Sequence, residues 1–574
     1  MRVVNKIWTS KLWLPIVIAA LVLINWLASL YHTRLDFTDE KRFTLSKPTK
    51  KILKNLDDAV QIDIFLKGEF PSGFKKLANS TAETLNEFKE VSGNKLQYNF
   101  VSPDDEMEGT AVKWGDTLSA LGLYPINLKS QLKAGEQQQL VFPVALVHYK
   151  DGVLPVILFE QKGIVVKKSF QEASTDLNSS EALMEFKFAD AINKLSQTEK
   201  PMIAYSSGNG EPQDVRSYDL AENILKPDYN LKQFNLKVNA LIPDTFKLLM
   251  IVKPTQPFTD EEKLKIDQFV MRGGKLLLFQ DKLEAELDSL KSMSNQVVAF
   301  DRNLGLDDLL FKYGARINPD LVMDLQCDFL PFVVNGSEQM EYLHWNYFPL
   351  FDSKSNHLIN KNLGLVAGKF VNSIDTVEAE GIKKTVLLSS SPNSRTIATP
   401  ALISGKENIN AAEDEKYKKS NIPVAVLLEG KFQSLYSNRV SQAMKDSLEK
   451  YGAFFQQQAL TDNKIIVVAD GDIVLNAVQK NEPLPMGVNP YTYGSQYQYE
   501  FANKYFLQNC LDYLINPSGL AEAKAKDYTL RLLDTKKITE QKTTWQLINI
   551  AVPVLLVFLF AVIYQWRRKR KYTK

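Results

Sequence analysis

In a protein built of strands and helices, chemistry concentrates in the turns that leave strand ends, and two such turns carry reactive residue types. Ser206-Ser207-Gly208-Asn209-Gly210-Glu211-Pro212 follows the apolar run 202–205. Its glycines let a backbone approach a ligand closely, and Glu211 is placed to serve as a base, so Ser207, Gly208, Asn209, Gly210 and Glu211 are the ligand-binding candidates. The full dinucleotide fingerprint is missing, and a structural turn is the competing reading. Asp470-Gly471-Asp472 follows the apolar run 465–468. The carboxylates of Asp470 and Asp472 suit a divalent cation that prefers oxygen ligands, but no third ligand is near in sequence and a solvated turn explains the pattern too. No cofactor is expected.

Other chemistries lack their residues. His32, His148, His344 and His357 share no metal-ligand spacing. There is no G-K-[ST] phosphate loop and no G-x-S-x-G elbow, so neither a P-loop ATPase nor a serine hydrolase of that type is encoded. Cys327 and Cys510 are too few for a disulfide framework and read as buried structural thiols. With 69 Lys+Arg against 67 Asp+Glu over 574 residues, 45% of them apolar, the chain is globular and no nucleic-acid partner is expected.

The elements that must position these turns begin at the two ends. Residues 12–31 (LWLPIVIAALVLINWLASLY) contain no Asp, Glu, Lys, Arg or His and have the length of a bilayer-crossing helix. A cleaved signal peptide is the alternative for this run. Residues 545–566 form a second apolar run with Trp at both borders, followed by Arg567, Arg568, Lys569, Arg570 and Lys571, a cluster that holds this end in the cytoplasm. Two crossings then put residues 1–11 on the same side. The two cytoplasmic ends carry nine basic and no acidic residues, so residues 12–566 retain 60 basic against 67 acidic, a net of about −7. Neither span has an ionisable group in its middle, so both read as anchors in the lipid bilayer and not as a conduit.

Between the anchors the reading is α/β throughout. Alternation at Val60, Ile62, Ile64 and Leu66, a helical pattern from Phe74 to Phe88, and alternation at Leu96, Tyr98 and Phe100 predict a βαβ unit with parallel strands. Runs 140–149 and 153–159 flank Asp151-Gly152, a hairpin signal. Residues 35–175 are thus a small extracytoplasmic α/β domain, and 170–180 a linker. A helix at 181–195 opens a second domain, 181–516. Its buried runs at 202–205, 248–252 and 275–279 alternate with helical patterns, one of them capped by Thr259 with Glu262 three residues on, and predict a doubly wound, flavodoxin-like sheet. Strand-like runs at 385–388, 424–428 and 465–468 extend it, 491–499 is a loop, and an amphipathic helix at 520–533 lies in a stalk, 517–544, leading back to the membrane. The basic tail is 567–574.

The run Asp36-Phe37-Thr38, then Arg42-Phe43-Thr44-Leu45-Ser46-Lys47-Pro48-Thr49, leading into VQIDIFLKG, resembles the start of the auxiliary extracytoplasmic subunits of bacterial ABC transporters, and more closely of those associated with gliding motility in Bacteroidetes. SSGNGEP, RGGKLLLFQD, IPVAVLLEGKFQSLYSNR, VVADGDIV and LRLLDTKK extend the resemblance over nearly the whole chain. It implies a thioredoxin-like first domain and a glutamine-amidotransferase-like second one. It also implies a cell inner membrane location with the bulk on the periplasmic side, a separate ABC permease and ABC ATPase as partners, and a non-catalytic role in gliding and surface-protein secretion. An amidotransferase would need a cysteine after a strand such as 248–252, where this chain has Lys253-Pro254-Thr255. The family's more usual Gly-His-Gly-Glu reads Gly208-Asn209-Gly210-Glu211, without the imidazole. Two alternatives stay open: a membrane-tethered envelope hydrolase or amidase using Glu211 or the Asp470/Asp472 pair, and a receptor for an envelope ligand held in a cleft between the two domains.

Overall fold

Ser46 and Pro48 start helix α1 (Lys47–Lys54): the Ser46 hydroxyl accepts from the Thr49 amide at 3.4 Å, and Pro48 sits in the first turn, where no amide donor is needed. The computed structural model describes residues 18–19, 21–23, 44–159, 177, 180–287, 296–333, 340–404, 415–516, 519–525 and 535–572, apart from 69, 71, 108, 133–134, 198, 353–354, 356 and 362. Residues 1–527 form one unit and 528–574 another.

In the first unit, β1 (Val60–Ile64), α2 (Ser72–Val91) and β2 (Leu96–Phe100) form the expected βαβ element, with β1 and β2 parallel and Val60 opposite Leu96. β3 (Val144–Tyr149) and β4 (Gly152–Ile157) complete an antiparallel hairpin, giving the sheet order β2-β1-β3-β4. The hairpin turns at Lys150-Asp151, where Lys150 adopts φ +53°, and Gly152 is already paired with Tyr149. Pro143 ends the run predicted from 140: Leu140 and Val141 pair instead with Asn127 and Ile126. Val60, Ile62 and Ile64 pack on Leu77, Leu85 and Phe88 of α2. The helix predicted at 181–195 is α3 (Met184–Ser196), and its Met184, Phe188 and Ile192 join this first core, as does Leu520.

The second sheet has seven strands. β5 (Met202–Ser207), β6 (Asn230–Asn235), β7 (Phe246–Val252), β8 (Lys275–Phe279), β9 (Ile382–Ser389), β10 (Pro423–Gly430) and β11 (Asn463–Val468) lie in the order β9-β10-β11-β8-β7-β5-β6. The five strands from β6 to β11 are parallel, with the strand order reversing beside β5, while β10 and β9 run antiparallel at the edge. Strands covered on both faces must be apolar along their buried length, and residues 248–252, 276–279 and 465–468 are. Leu248, Met250, Val252, Leu277, Phe279, Ile466 and Val468 face one core together with α5 (Asn503–Ile515); Leu249, Ile251, Leu276, Leu278, Ile465 and Val467 face the other with α4 (Asp260–Met271).

Between β8 and β9 the chain builds a strand-rich insertion that the sequence reading did not resolve. Its long strand Met340–Phe351 supplies Trp345, Tyr347 and Phe348 to a separate aromatic core with Phe370. The loop expected at 491–499 consists of turns. Leu520 and Ala523, placed by the sequence on an amphipathic stalk helix, are instead buried in a short 3-10 segment, Leu520–Ala525, and Leu520 seats in the first core. The rest of that stretch up to 534, most of the linker at 170–180 and most of the first apolar run lie outside the described residues; within that run Ile18–Ala19 and Leu21–Leu23 are helical.

In the second unit α6 (Thr535–Tyr572) contains the segment Thr544–Arg570, whose most apolar 18 residues have a mean hydropathy of 2.7 with none of them buried, and which is long enough to cross a bilayer. Pro553 lies inside it, as membrane helices tolerate.

The start of α4 offers a direct check on this local reading. Thr259 Oγ1 accepts from the Glu262 amide at 3.3 Å while Glu262 Oε2 accepts from the Thr259 amide at 2.8 Å. Thr259→Ala is expected to cost about 1 kcal/mol of local stability, read as roughly fivefold faster hydrogen exchange in the first turn of α4 in the intact protein.

Candidate functional site

In an open parallel sheet the carboxyl ends of the strands form the working edge, and the crevice where strand order reverses is the usual ligand position. Here that crevice lies between the turns after β5 and β7. Asn209 O accepts from the amides of both Thr255 and Gln256 at 2.8 Å, and Asn209 Nδ2 donates to Pro257 O at 3.1 Å. Gly208 (φ +111°) and Gly210 (φ +81°) provide the approach that this needs: a Cβ on Gly210 would lie 1.9 Å from Thr255 Oγ1 and one on Gly208 2.8 Å from Asn235 Oδ1. Glu211 is buried, with Oε1 accepting from Ser206 Oγ at 2.6 Å and Oε2 from the Asn209 amide at 2.8 Å. The Tyr205 hydroxyl donates to Pro212 O at 2.7 Å. These contacts stitch two strand ends together. The glycine contacts are with protein neighbours, and both Glu211 oxygens are engaged inside the loop.

The second predicted turn belongs to a larger ionic cluster that sequence spacing could not show. Lys253, the residue after β7, takes the left-handed conformation (φ +45°), and its amide donates to Phe279 O at 2.8 Å. Its buried Nζ lies 2.6 Å from Asp472 Oδ2, 3.1 Å from Glu286 Oε1 and 3.4 Å from Asp281 Oδ2. Asp281 follows β8 and Asp472 follows β11, so three adjacent strand ends meet at one ammonium. Asp281 Oδ1 accepts from the Gly471 amide at 2.6 Å. Asp470 Oδ1 accepts from the Asp472 amide at 2.7 Å, and its Oδ2 from the Lys369 amide at 2.8 Å. Gly471 is required here, because a Cβ would fall 2.5 Å from that of Lys253.

The electrostatics follow from this packing. Burial alone would push the Lys253 ammonium toward neutrality, but Asp472, Asp281 and Glu286 outweigh it and raise its pKa. It therefore stays protonated and is no base or imine-forming nucleophile. Burial tends to raise the Asp472 carboxyl, yet Lys253 and then Lys369 hold it below the ordinary carboxylate value. Asp470 moves the other way, well above it, through burial and then the charges of Asp472 and Asp281.

Asp281, Asp470 and Asp472 bring one oxygen each within 4.8 Å of one another, which supplies the third carboxylate missing from the sequence reading. The set does not fit a resident divalent cation, because the Lys253 ammonium already provides the opposing charge within 2.6 Å of Asp472.

The remaining residues of interest stand apart. Cys327 and Cys510 are buried free thiols, both raised by desolvation. His148 faces Asp63 at 3.2 Å, His344 Nδ1 lies 2.7 Å from Cys327 O, and the His357 ring packs on Tyr513; His32 lies outside the described residues. Arg567, Arg568, Lys569 and Arg570 are exposed at the end of α6, with the Arg570 guanidinium 4.2 Å from the centre of the Trp566 ring.

Removing the central cation tests the cluster. Lys253→Met leaves Asp281, Asp472 and Glu286 facing one another and is expected to destabilise by about 3–5 kcal/mol at neutral pH. Burial raises the Asp281 and Glu286 carboxyls. A carboxyl raised in the folded state opposes folding above its folded pKa and ceases to do so as pH falls through it. Denaturation midpoints should therefore show the deficit of the variant shrinking as the buffer is taken from about pH 8 to about pH 5.

Comparison with known proteins places these features. A family model described as an ABC-type uncharacterized transport system matches residues 200–510, the stretch from β5 into α5, and a domain of unknown function matches residues 39–148. An uncharacterized protein of Borreliella burgdorferi is 21% identical over 463 residues, covering 78% of this chain and 83% of its own. Among solved structures, the mmIFT52 N-terminal domain is 13% identical and aligns with 55% of this chain and 97% of its own at a TM-score of 0.30. The exo-beta-1,4-mannosidase Op5Man5 from Opitutaceae bacterium strain TAV5 is 9% identical over 51% of this chain and 34% of its own, at a TM-score of 0.17. Neither structural likeness is close enough to bear on fold or function. The match over residues 200–510 covers more than half of the chain, including the stitched crevice and the Lys253 cluster, and the protein belongs to the ABC-type transport system auxiliary family.

Proposed function

We propose that this chain is a non-catalytic auxiliary subunit of an ABC transporter, held in the cell inner membrane at both ends with its body on the periplasmic side. The observation that carries the reading is family membership combined with a C-terminal apolar helix that runs straight into Arg567–Lys571. A basic cluster at a span end favours the cytoplasmic face. ATP hydrolysis then falls to a separate ABC ATPase and passage to a separate permease, since the sequence has no phosphate loop of its own. The resemblance to the gliding-motility-associated subunit GldG of Bacteroidetes extends the proposal to surface-protein secretion and gliding.

Two observations favour mechanical coupling over envelope hydrolysis. Glu211, the best base in the sequence, has both oxygens engaged in its own loop, and Lys253 is locked among carboxylates. A body whose strand-end groups satisfy one another suits a rigid transmitter between two anchors.

Affinity purification of the intact protein from detergent-solubilised native membranes tests the reading. An ABC ATPase and a permease are expected to copurify in fixed ratio, and their absence would contradict the assignment. Glu211→Gln keeps the loop's shape and is expected to leave the transport-linked phenotype intact, whereas a hydrolase using Glu211 as its base would lose it by a factor of about 100 or more.

A further inference from the structure

Helix α6 does not stop at its border tryptophan. It continues without a break from Trp566 through Arg567, Arg568, Lys569, Arg570 and Lys571 to Tyr572. At about 1.5 Å of rise per residue the five basic positions occupy about 6 Å of helix axis directly beside Trp566, which is roughly the depth of a headgroup layer. At about 100° of turn per residue their Cα atoms face every side of the helix. Arg567, Arg568, Lys569 and Arg570 are all exposed, and the Arg570 guanidinium is held 4.2 Å from the centre of the Trp566 ring. The result is a collar of positive charge around the helix.

Three features say what such a collar meets. A protein that binds a helix reads one face of it, whereas lipid surrounds a spanning helix on all sides, so charge on every side matches headgroups better than a protein groove. The charge is also one-sided along the helix: residues 541–574 contain no Asp or Glu, while at the opposite border Lys542 is accompanied by Glu540. The rest of the chain works against an anionic surface, since residues 12–566 carry 60 basic against 67 acidic residues, and the attraction therefore resides in the ends. Guanidinium and ammonium groups at this depth make charge-assisted hydrogen bonds to phosphate oxygens, and stacking on Trp566 keeps one guanidinium at the level of the border ring.

We propose that residues 567–571 bind the headgroups of anionic phospholipids, whose phosphodiester oxygens accept from the collar, so that the basic end of α6 gathers a shell of acidic lipid. This rests on the reading of α6 as a membrane span. It depends neither on the transporter assignment nor on which face of the membrane the collar occupies.

Electron spin resonance on the full-length protein in phosphatidylcholine vesicles tests it, with a trace of spin-labelled phosphatidylglycerol or spin-labelled phosphatidylcholine as reporter. The fraction of label immobilised at the protein surface is expected to be about twofold or more higher for phosphatidylglycerol at about 50 mM salt. The two labels should converge near 1 M NaCl, where the screening length falls to about 3 Å. Combining Arg567→Gln, Arg568→Gln, Lys569→Gln, Arg570→Gln and Lys571→Gln should bring phosphatidylglycerol down to the phosphatidylcholine level. Combining Arg567→Lys, Arg568→Lys and Arg570→Lys, which keeps the charge, should retain the preference. Exchanging chloride for inorganic phosphate at equal ionic strength should also leave it in place. No preference in the native protein, an unchanged preference in the Gln variant, its loss in the Lys variant, or its abolition by free phosphate would overturn the proposal. Leu555→Cys, at mid-helix, separates this from failure of the span itself: protection from a water-soluble maleimide in the same vesicles is expected, and labelling would overturn the span and the lipid site together.

Discussion

The ammonium of Lys253 is the constraint around which the larger sheet closes. Parallel strands send their carboxyl ends in one direction, and the carboxylates that follow the neighbouring strands β8 and β11 would repel one another without a cation between them. Lys253 supplies that cation from the turn after β7, at the cost of a left-handed backbone in a residue with a side chain. The arrangement also fixes Gly471, which alone leaves room for the Lys253 side chain. In an active α/β enzyme this turn is where a nucleophile is exposed on a strained elbow. Here the same kind of turn carries a group that is buried, charged and fully matched, while the adjacent crevice is closed by direct backbone bonds from Asn209.

A second constraint comes from how the chain is threaded. α3 and Leu520 both belong to the core of the first sheet, so the chain leaves that core, builds the whole second sheet and its aromatic insertion, and returns to the same core. The second sheet is thereby bracketed by two segments seated in the first. Lys194 reinforces the junction by bridging Asp190 on α3 to Asp228 beside the second sheet. The threading thus ties the two sheets to each other.

Much of this was legible in the sequence wherever period and punctuation agree. The alternation at Val60, Ile62 and Ile64, the capping pair Thr259 and Glu262, and the runs KLLLF and KIIVV all became the elements their patterns predicted. The insertion around Met340–Phe351 was not legible, because its aromatic side chains pack as a cluster and show neither a period of two nor one of 3.6. The site was half legible. Asp470, Asp472 and Glu211 could be picked out beside strands, but Asp281 meets Gly471 across 190 residues, and nothing local marks Lys253 as their counter-ion. The order of strands β7, β8 and β11 brings them together, and pairing order is a property of the whole chain.

The central claim is that the crest of the sheet holds the body in shape and performs no reaction. The most direct measurement is complementation by a crest with its ionic cluster neutralised, with Lys253→Met, Asp281→Asn, Asp472→Asn and Glu286→Gln combined, in cells lacking the native protein. The account predicts a folded protein that assembles with its partners and restores the phenotype, because matched neutral groups can replace a buried ionic cluster. A variant that folds and assembles yet restores nothing would contradict it.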